Sequence, residues 1–310
     1  MDPGRCWVVV LAAGSGDRVR HLTRDPCGAP VPKQFFAPGG SRSMLRCTIE
    51  RATRLVPLSR VVVIVAREHR RWWEAELADL PPDNVVVQPA NRGTAAGILL
   101  PFLTVLRRDP LATILTLPSD HHVERPEVLD EAVLDAIEAA RTDESRIVLL
   151  GVPPEEFDRE YGWLVPVPPA TTGKIARVAA FVEKPAAAIA RGLSRRGALV
   201  NTLIFAASSA ALSRLFESAA PELLARFGDA ERSSSASALE RLYQTIPAAD
   251  FSRELLECSP EMLAVLPVAR CGWIDLGTPA RLQHHRARRD PAADAEPAGS
   301  TPRVAPRDVN

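Results

Sequence analysis

The chain has 310 residues, 38 Lys+Arg against 38 Asp+Glu, and 46% hydrophobic residues. Zero formal net charge argues against a bulk electrostatic grip on nucleic acid or an anionic membrane. The apolar share supports a real core, but no apolar run reaches the length of a membrane span. The five cysteines, Cys6, Cys27, Cys47, Cys258 and Cys271, are scattered, odd in number and without zinc-ligand spacing, which fits a reduced cytosol. Met1 to Arg5 leads directly into an apolar segment with no room for a signal peptide, so a cytoplasmic location is expected.

Read in chain order, Trp7-Val8-Val9-Val10-Leu11 predicts a buried parallel strand. Further strands are predicted over 60–66, 85–87, 113–117 and 147–152. Helical spacing occupies the intervals 43–55, 68–77, 94–106 and 127–141. This alternation predicts a parallel sheet with helices on both faces, and such sheets bind ligands at the carboxyl ends of their strands. The second half is more mixed. It has strands over 161–167 and 175–183 around a turn at Thr171-Thr172-Gly173, a strand over 199–206, and helices over 208–216, 221–227 and 236–244. Residues 291–310 hold four prolines and little apolar content, and read as a disordered tail after a domain spanning 1–290.

The first strand ends in Ala12-Ala13-Gly14-Ser15-Gly16, a small-residue turn that lets a phosphate chain approach its backbone amides. Arg18 and Lys33 supply positive charge beside it. The Walker pattern is absent after Gly14 and Gly16, and Val19 stands where the dinucleotide fingerprint needs a third glycine. The cradle therefore suits a nucleoside triphosphate. Asp120 and Asp275, each placed after an apolar strand and 155 positions apart, are candidate magnesium ligands that only the fold can unite. Gln88 and Thr94 can read a purine edge. Gly93 would permit close approach, and Thr94 can equally serve as a helix N-cap. His121 and His122 lack further ligands at zinc spacing, and Trp72-Trp73 fits packing against core or a subunit partner better than stacking on a base.

Together, Leu11 to Arg18 and Pro32-Lys33-Gln34 resemble the signature of sugar-1-phosphate nucleotidyltransferases, with Gln34 resembling the mannose-1-phosphate guanylyltransferase branch. Gln88 to Thr94, Pro118-Ser119-Asp120-His121, Phe181 to Pro185 and Trp273 to Gly277 resemble later motifs of that branch, in order. The resemblance implies a Rossmann-like, mixed but mostly parallel sheet of the nucleotide-diphospho-sugar transferase, GT-A-like fold. It implies attack by a sugar 1-phosphate oxygen on the α-phosphorus of a triphosphate, most simply GTP with mannose 1-phosphate. Arg18, Lys33 and Asp120 would be catalytic. Leu11, Ala13, Gly14, Ser15, Gly16, Gln88, Asn91, Arg92, Gly93 and Thr94 would hold the nucleotide. Gly162, Glu183, Lys184 and Asn201 would hold the sugar phosphate, and Asp120 and Asp275 would hold Mg2+. Small-molecule substrates are the expected partners, with homo-oligomer formation left open.

Several positions depart from that pattern. Asp17 stands in place of Thr, Leu203 in place of Gly, Val200 in place of Trp, Arg159-Glu160 in place of Thr-Gly, and Asp25 to Pro30 in place of a basic run. These leave open another sugar or base, and a catalytically silent paralogue that binds a nucleotide-sugar and regulates a partner.

Overall fold

A computed structural model describes residues 5–25, 27–38, 41–154, 159–167, 171–233, 235 and 237–289, the side chains of 286–289 excepted. The tail predicted for 291–310 lies outside the described residues, as does residue 236 at the start of one predicted helix. The first half runs β1 (Cys6–Ala12), α1 (Met44–Leu55), β2 (Val61–Ala66), α2 (Arg70–Glu76), β3 (Val85–Gln88), α3 (Gly93–Arg108), β4 (Thr113–Pro118), β5 (His121–His122), α4 (Pro126–Thr142) and β6 (Ile147–Val152). The second half runs β7 (Gly162–Pro166), β8 (Ala176–Glu183), α5 (Ala187–Arg195), β9 (Leu199–Ser208), α6 (Ser209–Ala219), α7 (Pro221–Arg232), α8 (Ala238–Thr245), β10 (Leu263–Pro267), β11 (Ile274–Asp275) and α9 (Pro279–Arg289). A π-helix, Phe251–Leu256, follows α8. The elements β5, α5, β10, β11, α9 and the π-helix were not foreseen from the sequence.

Nine strands form one sheet in the order β3-β2-β1-β4-β9-β6-β10-β8-β7. The β3-β2-β1-β4 half is parallel throughout, and β10 is parallel to β6. The predicted parallel sheet is interrupted by β9, which lies antiparallel between β4 and β6, while β8 and β7 close the far edge antiparallel. The sheet is therefore mixed and mostly parallel. Its two faces alternate along each strand. Val8, Val10, Val63, Leu115 and Leu150 pack under α1, α4 and α5. Trp7, Val9, Ile64, Ile114 and Leu149 pack under α3, α6, α7 and α8. Burial on both faces explains the unbroken Val/Ile/Leu runs that made the first-half strands readable. Among the described residues no helix is long and apolar enough to cross a membrane.

Trp72 stacks on Phe35 with centroids 6.0 Å apart, and Trp73 donates its indole N–H to the Ala66 carbonyl at 2.9 Å. Both tryptophans serve packing around α2.

Gly93 begins α3 at φ +79°, and a Cβ there would lie 2.2 Å from the Ala249 carbonyl oxygen. Its close approach is to the chain after α8. Gly93→Ala should therefore destabilise the fold by about 2–4 kcal/mol through overlap and left-handed strain. Gly192→Ala, inside α5 with open space around it, should stabilise by ~0.5–1 kcal/mol. Urea unfolding of the two variants checks the contrast, and equal midpoints would refute it.

Candidate active site

A cavity of ≈ 290 Å³ opens at the carboxyl ends of β1, β3 and β4. Its lining includes Leu11, Ala13, Gly14 and Gly16 from the turn after β1, and Gln88, Asn91, Gly93 and Thr94 from the β3–α3 connection. Lys33 and Asp120 complete the predicted set, while Gln34, Gly97, Ser119, Leu203 and Asp250 also line it. Ser15, Arg18 and Arg92, together with Gly162, Glu183, Lys184, Asn201 and Asp275, lie outside that lining.

The turn after β1 is held from two sides. Gly16, at φ +66°, lets the Lys33 backbone approach, since a Cβ would sit 3.0 Å from the Lys33 amide nitrogen. Gln34 is buried and donates its Nε2 to the carbonyls of Ala12 at 2.9 Å and Gly14 at 3.0 Å. Ser119 donates backbone N–H and Oγ to the Leu11 carbonyl, at 3.0 and 2.7 Å. That tie fixes Asp120, the next residue, against the end of β1.

Lys33 Nζ lies 2.6 Å from Asp120 Oδ2 and 2.7 Å from Asp275 Oδ1, with only 6% of its side chain exposed. Burial pulls the ammonium toward neutrality, but the two carboxylates outweigh it and hold its pKa above the ordinary lysine value. Asp275 feels the same opposition: burial pushes its carboxyl up, and Lys33, His121 and Arg281 bring it well below the usual carboxylate range. Arg281 donates its Nη1 to Asp275 Oδ2 at 2.9 Å. Gly277 is required beside it, because a Cβ there would lie 2.8 Å from Asp275 Oδ2.

Asp275 does not come directly after an apolar strand, as the sequence suggested, since β10 ends at Pro267. It belongs to the two-residue β11, which pairs antiparallel with β5 so that Asp275 faces His121 and Ile274 faces His122. This small ribbon closes the gap of 155 positions. Asp120, His121 and Asp275 offer ligand atoms all within 4.8 Å of one another. The His121 Nδ1 accepts the indole N–H of Trp273 at 3.2 Å, which places the neutral ring's proton on Nε2 and leaves it no lone pair for a metal. Burial holds the ring below the ordinary histidine pKa. The hard oxygen pair of Asp120 and Asp275 suits Mg2+, with Lys33 as its competitor for the same oxygens.

At the β3 end, Gln88 is buried and donates Nε2 to the Ala13 carbonyl at 3.4 Å, while its Oε1 has no hydrogen-bond partner. A Cβ on Gly97 would come within 3.9 Å of that oxygen, an ordinary contact distance. Thr94 is not the N-cap; Arg92 is. The Thr94 hydroxyl accepts the Phe251 N–H at 2.7 Å. Arg92 is turned to the Tyr243 carbonyl, 2.5 Å from its Nε, and Asn91 Oδ1 accepts the Gly93 N–H at 3.0 Å.

Gly162, Glu183, Lys184 and Asn201, expected from the sequence to hold a sugar phosphate, form a second group. Gly162 pairs with Glu183 across β7–β8, and Trp163 pairs with Val200 across β7–β9, which brings Asn201 to the Gly162 end. Gly162 is needed there, since a Cβ would lie 2.5 Å from Glu183 Oε2. Burial raises the Glu183 pKa against the opposing Lys184 charge, and Asp250 raises it further. Lys184 Nζ stands 3.4 Å from Glu183 Oε1. Arg18 is exposed and pairs with Glu160 at 3.1 Å.

Gln34, Ser119 and Asp250 were not assigned as site residues from the sequence. Gln34 and Ser119 carried a signal, since both lie inside motifs. Asp250 carried none, because only the packing of the π-helix against α3 brings it to the cavity.

Replacing Asp275 by Asn strips one carboxylate from Lys33 and the charge from Arg281. The expected loss is about 3 kcal/mol at neutral pH, typical of breaking a buried pair. A carboxyl with a lowered pKa stabilises the fold above its unfolded value, 3.8, and loses that contribution as pH falls. The gap between wild type and Asp275→Asn should thus close below that pH in denaturant titrations. A gap that is unchanged at acid pH would refute the pairing.

The nucleotidyl transferase family matches residues 7–288. The chain is 34% identical over 194 residues to the mannose-1-phosphate guanylyltransferase ManC of Salmonella typhimurium, covering 60% of this chain and 38% of ManC. It is 33% identical over 197 residues to the xanthan biosynthesis protein XanB of Xanthomonas campestris, covering 61% of this chain and 39% of XanB. The matches thus span about two-fifths of the length of these curated relatives. Among solved structures, a mannose-1-phosphate geranyltransferase from Thermus thermophilus superposes with a TM-score of 0.74 at 28% identity, covering 88% of this chain and 76% of that one. With the family match running from β1 into α9, the chain belongs to the nucleotidyl transferase family.

Proposed function

We propose that this protein transfers a nucleotidyl group from a nucleoside triphosphate to a sugar 1-phosphate and releases pyrophosphate, with GTP and mannose 1-phosphate as substrates. The observation that carries this reading is the buried Lys33 between Asp120 and Asp275, in a cavity whose lining also includes Gln88, a residue with a buried, unpartnered Oε1. One end suits phosphates and a divalent cation; the other asks for a hydrogen-bond donor. Guanine offers adjacent N–H donors on its Watson–Crick edge. The guanylyltransferase name of ManC favours that base over the others.

In the proposed reaction an acceptor phosphate oxygen bonds to the α-phosphorus as the bond to the β-phosphate oxygen breaks, and pyrophosphate leaves with that electron pair. Lys33 supplies a fixed positive charge where negative charge accumulates. Asp120 and Asp275 would hold Mg2+, which supplies Lewis-acid neutralisation of phosphate oxygens. Gln34 and Ser119 keep the turn and Asp120 in register with β1. Glu183 and Asn201 orient sugar hydroxyls, and Lys184 pairs with the acceptor phosphate. Arg18 exchanges Glu160 for phosphate oxygens.

The deciding assay is pyrophosphate release with Mg2+ and four triphosphates against several sugar 1-phosphates. Lys33→Ala and Asp120→Asn should each lower turnover at least roughly a hundredfold, ~2.7 kcal/mol, with any base. Gln88→Ala should mainly change the preference among bases. Tight nucleotide binding without pyrophosphate from any acceptor would favour a silent regulator instead.

A pH series tests the sugar side. The Glu183 pKa is raised from 4.5 by burial, so loss of its charge on acidification should raise the KM for sugar phosphate from a pH above that value. Glu183→Gln should show a high KM without that acid limb. An identical limb in both proteins would remove Glu183 from the sugar site.

A further inference from the structure

Among the described residues, two non-glycine residues have left-handed φ: Lys184 at +46° and Leu203 at +56°. A side chain with a Cβ crowds the following carbonyl there, and a bulky residue in that region is a genuine outlier. Leu203 is held in it by its neighbours. Asn201 Oδ1 accepts the Leu203 N–H at 3.1 Å. Thr202 Oγ1 donates to the Leu150 carbonyl at 2.8 Å and accepts the Ile204 N–H at 3.2 Å. The register of β9 against β6 also shifts here: Phe205 pairs with Leu149, but Asn201 pairs with Gly151. Three residues of β9 therefore face one of β6, and Leu203 is the middle of that bulge. Bulges of this kind re-aim a side chain beside a site.

Leu203 is half-buried and lines the cavity with Lys33, Asp120 and Gln88. On one side, β9 leaves its pairing with β4 at Thr116–Phe205, just where β4 runs on toward Asp120. On the other side, Asn201 and the adjacent Val200 lead to Gly162 and Glu183. The bulge thus sets an apolar side chain at the junction between the phosphate end of the cavity and the sugar-side group. A branched alkyl group there occupies volume and cannot satisfy a hydroxyl or amide brought against it.

We propose that Leu203 is a specificity-determining residue that excludes acceptors carrying bulk or an amide at this junction, restricting the site to unsubstituted hexose 1-phosphates. The proposal rests on the transferase reading above and concerns which acceptors the site admits. Leu203→Gly removes the side chain and its strain together, whereas Leu203→Ala removes most of the volume but keeps a Cβ at positive φ.

The test compares mannose 1-phosphate with N-acetylglucosamine 1-phosphate, by kcat/KM from pyrophosphate release and by calorimetric affinity with GDP present. Wild type should favour mannose 1-phosphate, and both variants should reduce that preference at least tenfold. Leu203→Gly should melt at or above Leu203→Ala, the reverse of the usual order for a strand. A preference unchanged within twofold, no binding of either acceptor, or a Leu203→Gly melting point below that of Leu203→Ala would overturn the proposal. Flattened affinities without pyrophosphate from any of the three proteins would uphold the role of Leu203 and remove the transferase reading alone.

Discussion

The arrangement around Lys33 governs the rest of the site. A buried ammonium survives only with full ionic partnership, and here two carboxylates from distant segments supply it. Arg281 then balances the second of them, so two cations face two anions while the adjacent His121 is held below its ordinary pKa. This balance fixes three chain segments in one place: the turn before α1, the end of β4 and the β11 ribbon. It also favours the ionised form of Asp275, which is the state a divalent cation requires.

The sheet gives that cluster its address. Parallel β1, β3 and β4 all end on one side, so their connections converge there. The antiparallel β9 makes a second contribution. Because it runs the other way, its opening residues, including Asn201 and Leu203, lie beside the ends of the parallel strands. A single strand of reversed direction thus joins the Lys33–Asp120 end of the cavity to the group containing Gly162 and Glu183.

Polar satisfaction is uneven across the site, and the unevenness is informative. The carbonyls of Leu11, Ala12 and Gly14 are taken by Ser119 and Gln34, so side chains of the protein itself tie the turn in place. Gln88 Oε1 is buried without a partner, an arrangement costly enough to call for explanation. In the proposed function, a donor from a bound base would remove the cost. A pinned turn beside Lys33 and an unmet acceptor on Gln88 are the two features on which the proposed nucleotide reading rests.

Much was legible in the residues themselves. The apolar runs of β1, β2 and β6, and that of β4 with its buried Thr116, identified strands buried on both faces, and the small residues after β1 marked a turn that lines the cavity. Asp120 and Gln88 could be named because each sits at or just after a strand end, where local chain geometry dictates position, and Lys33 because it stands in Pro32-Lys33-Gln34. Other features depended on distant chain segments. The antiparallel insertion of β9, the brief β11 ribbon carrying Asp275, the pairing of Arg18 with Glu160 and the capture of Arg92 by Tyr243 leave no local pattern. The left-handed backbone of Leu203 runs against its own local preference. Sequence determined the strands, the turn and the chemistry of the side chains, because these follow from short-range periodicity and steric freedom. Tertiary structure decided which charges meet and which atoms stay unpaired, because those depend on packing between segments that sequence order keeps apart.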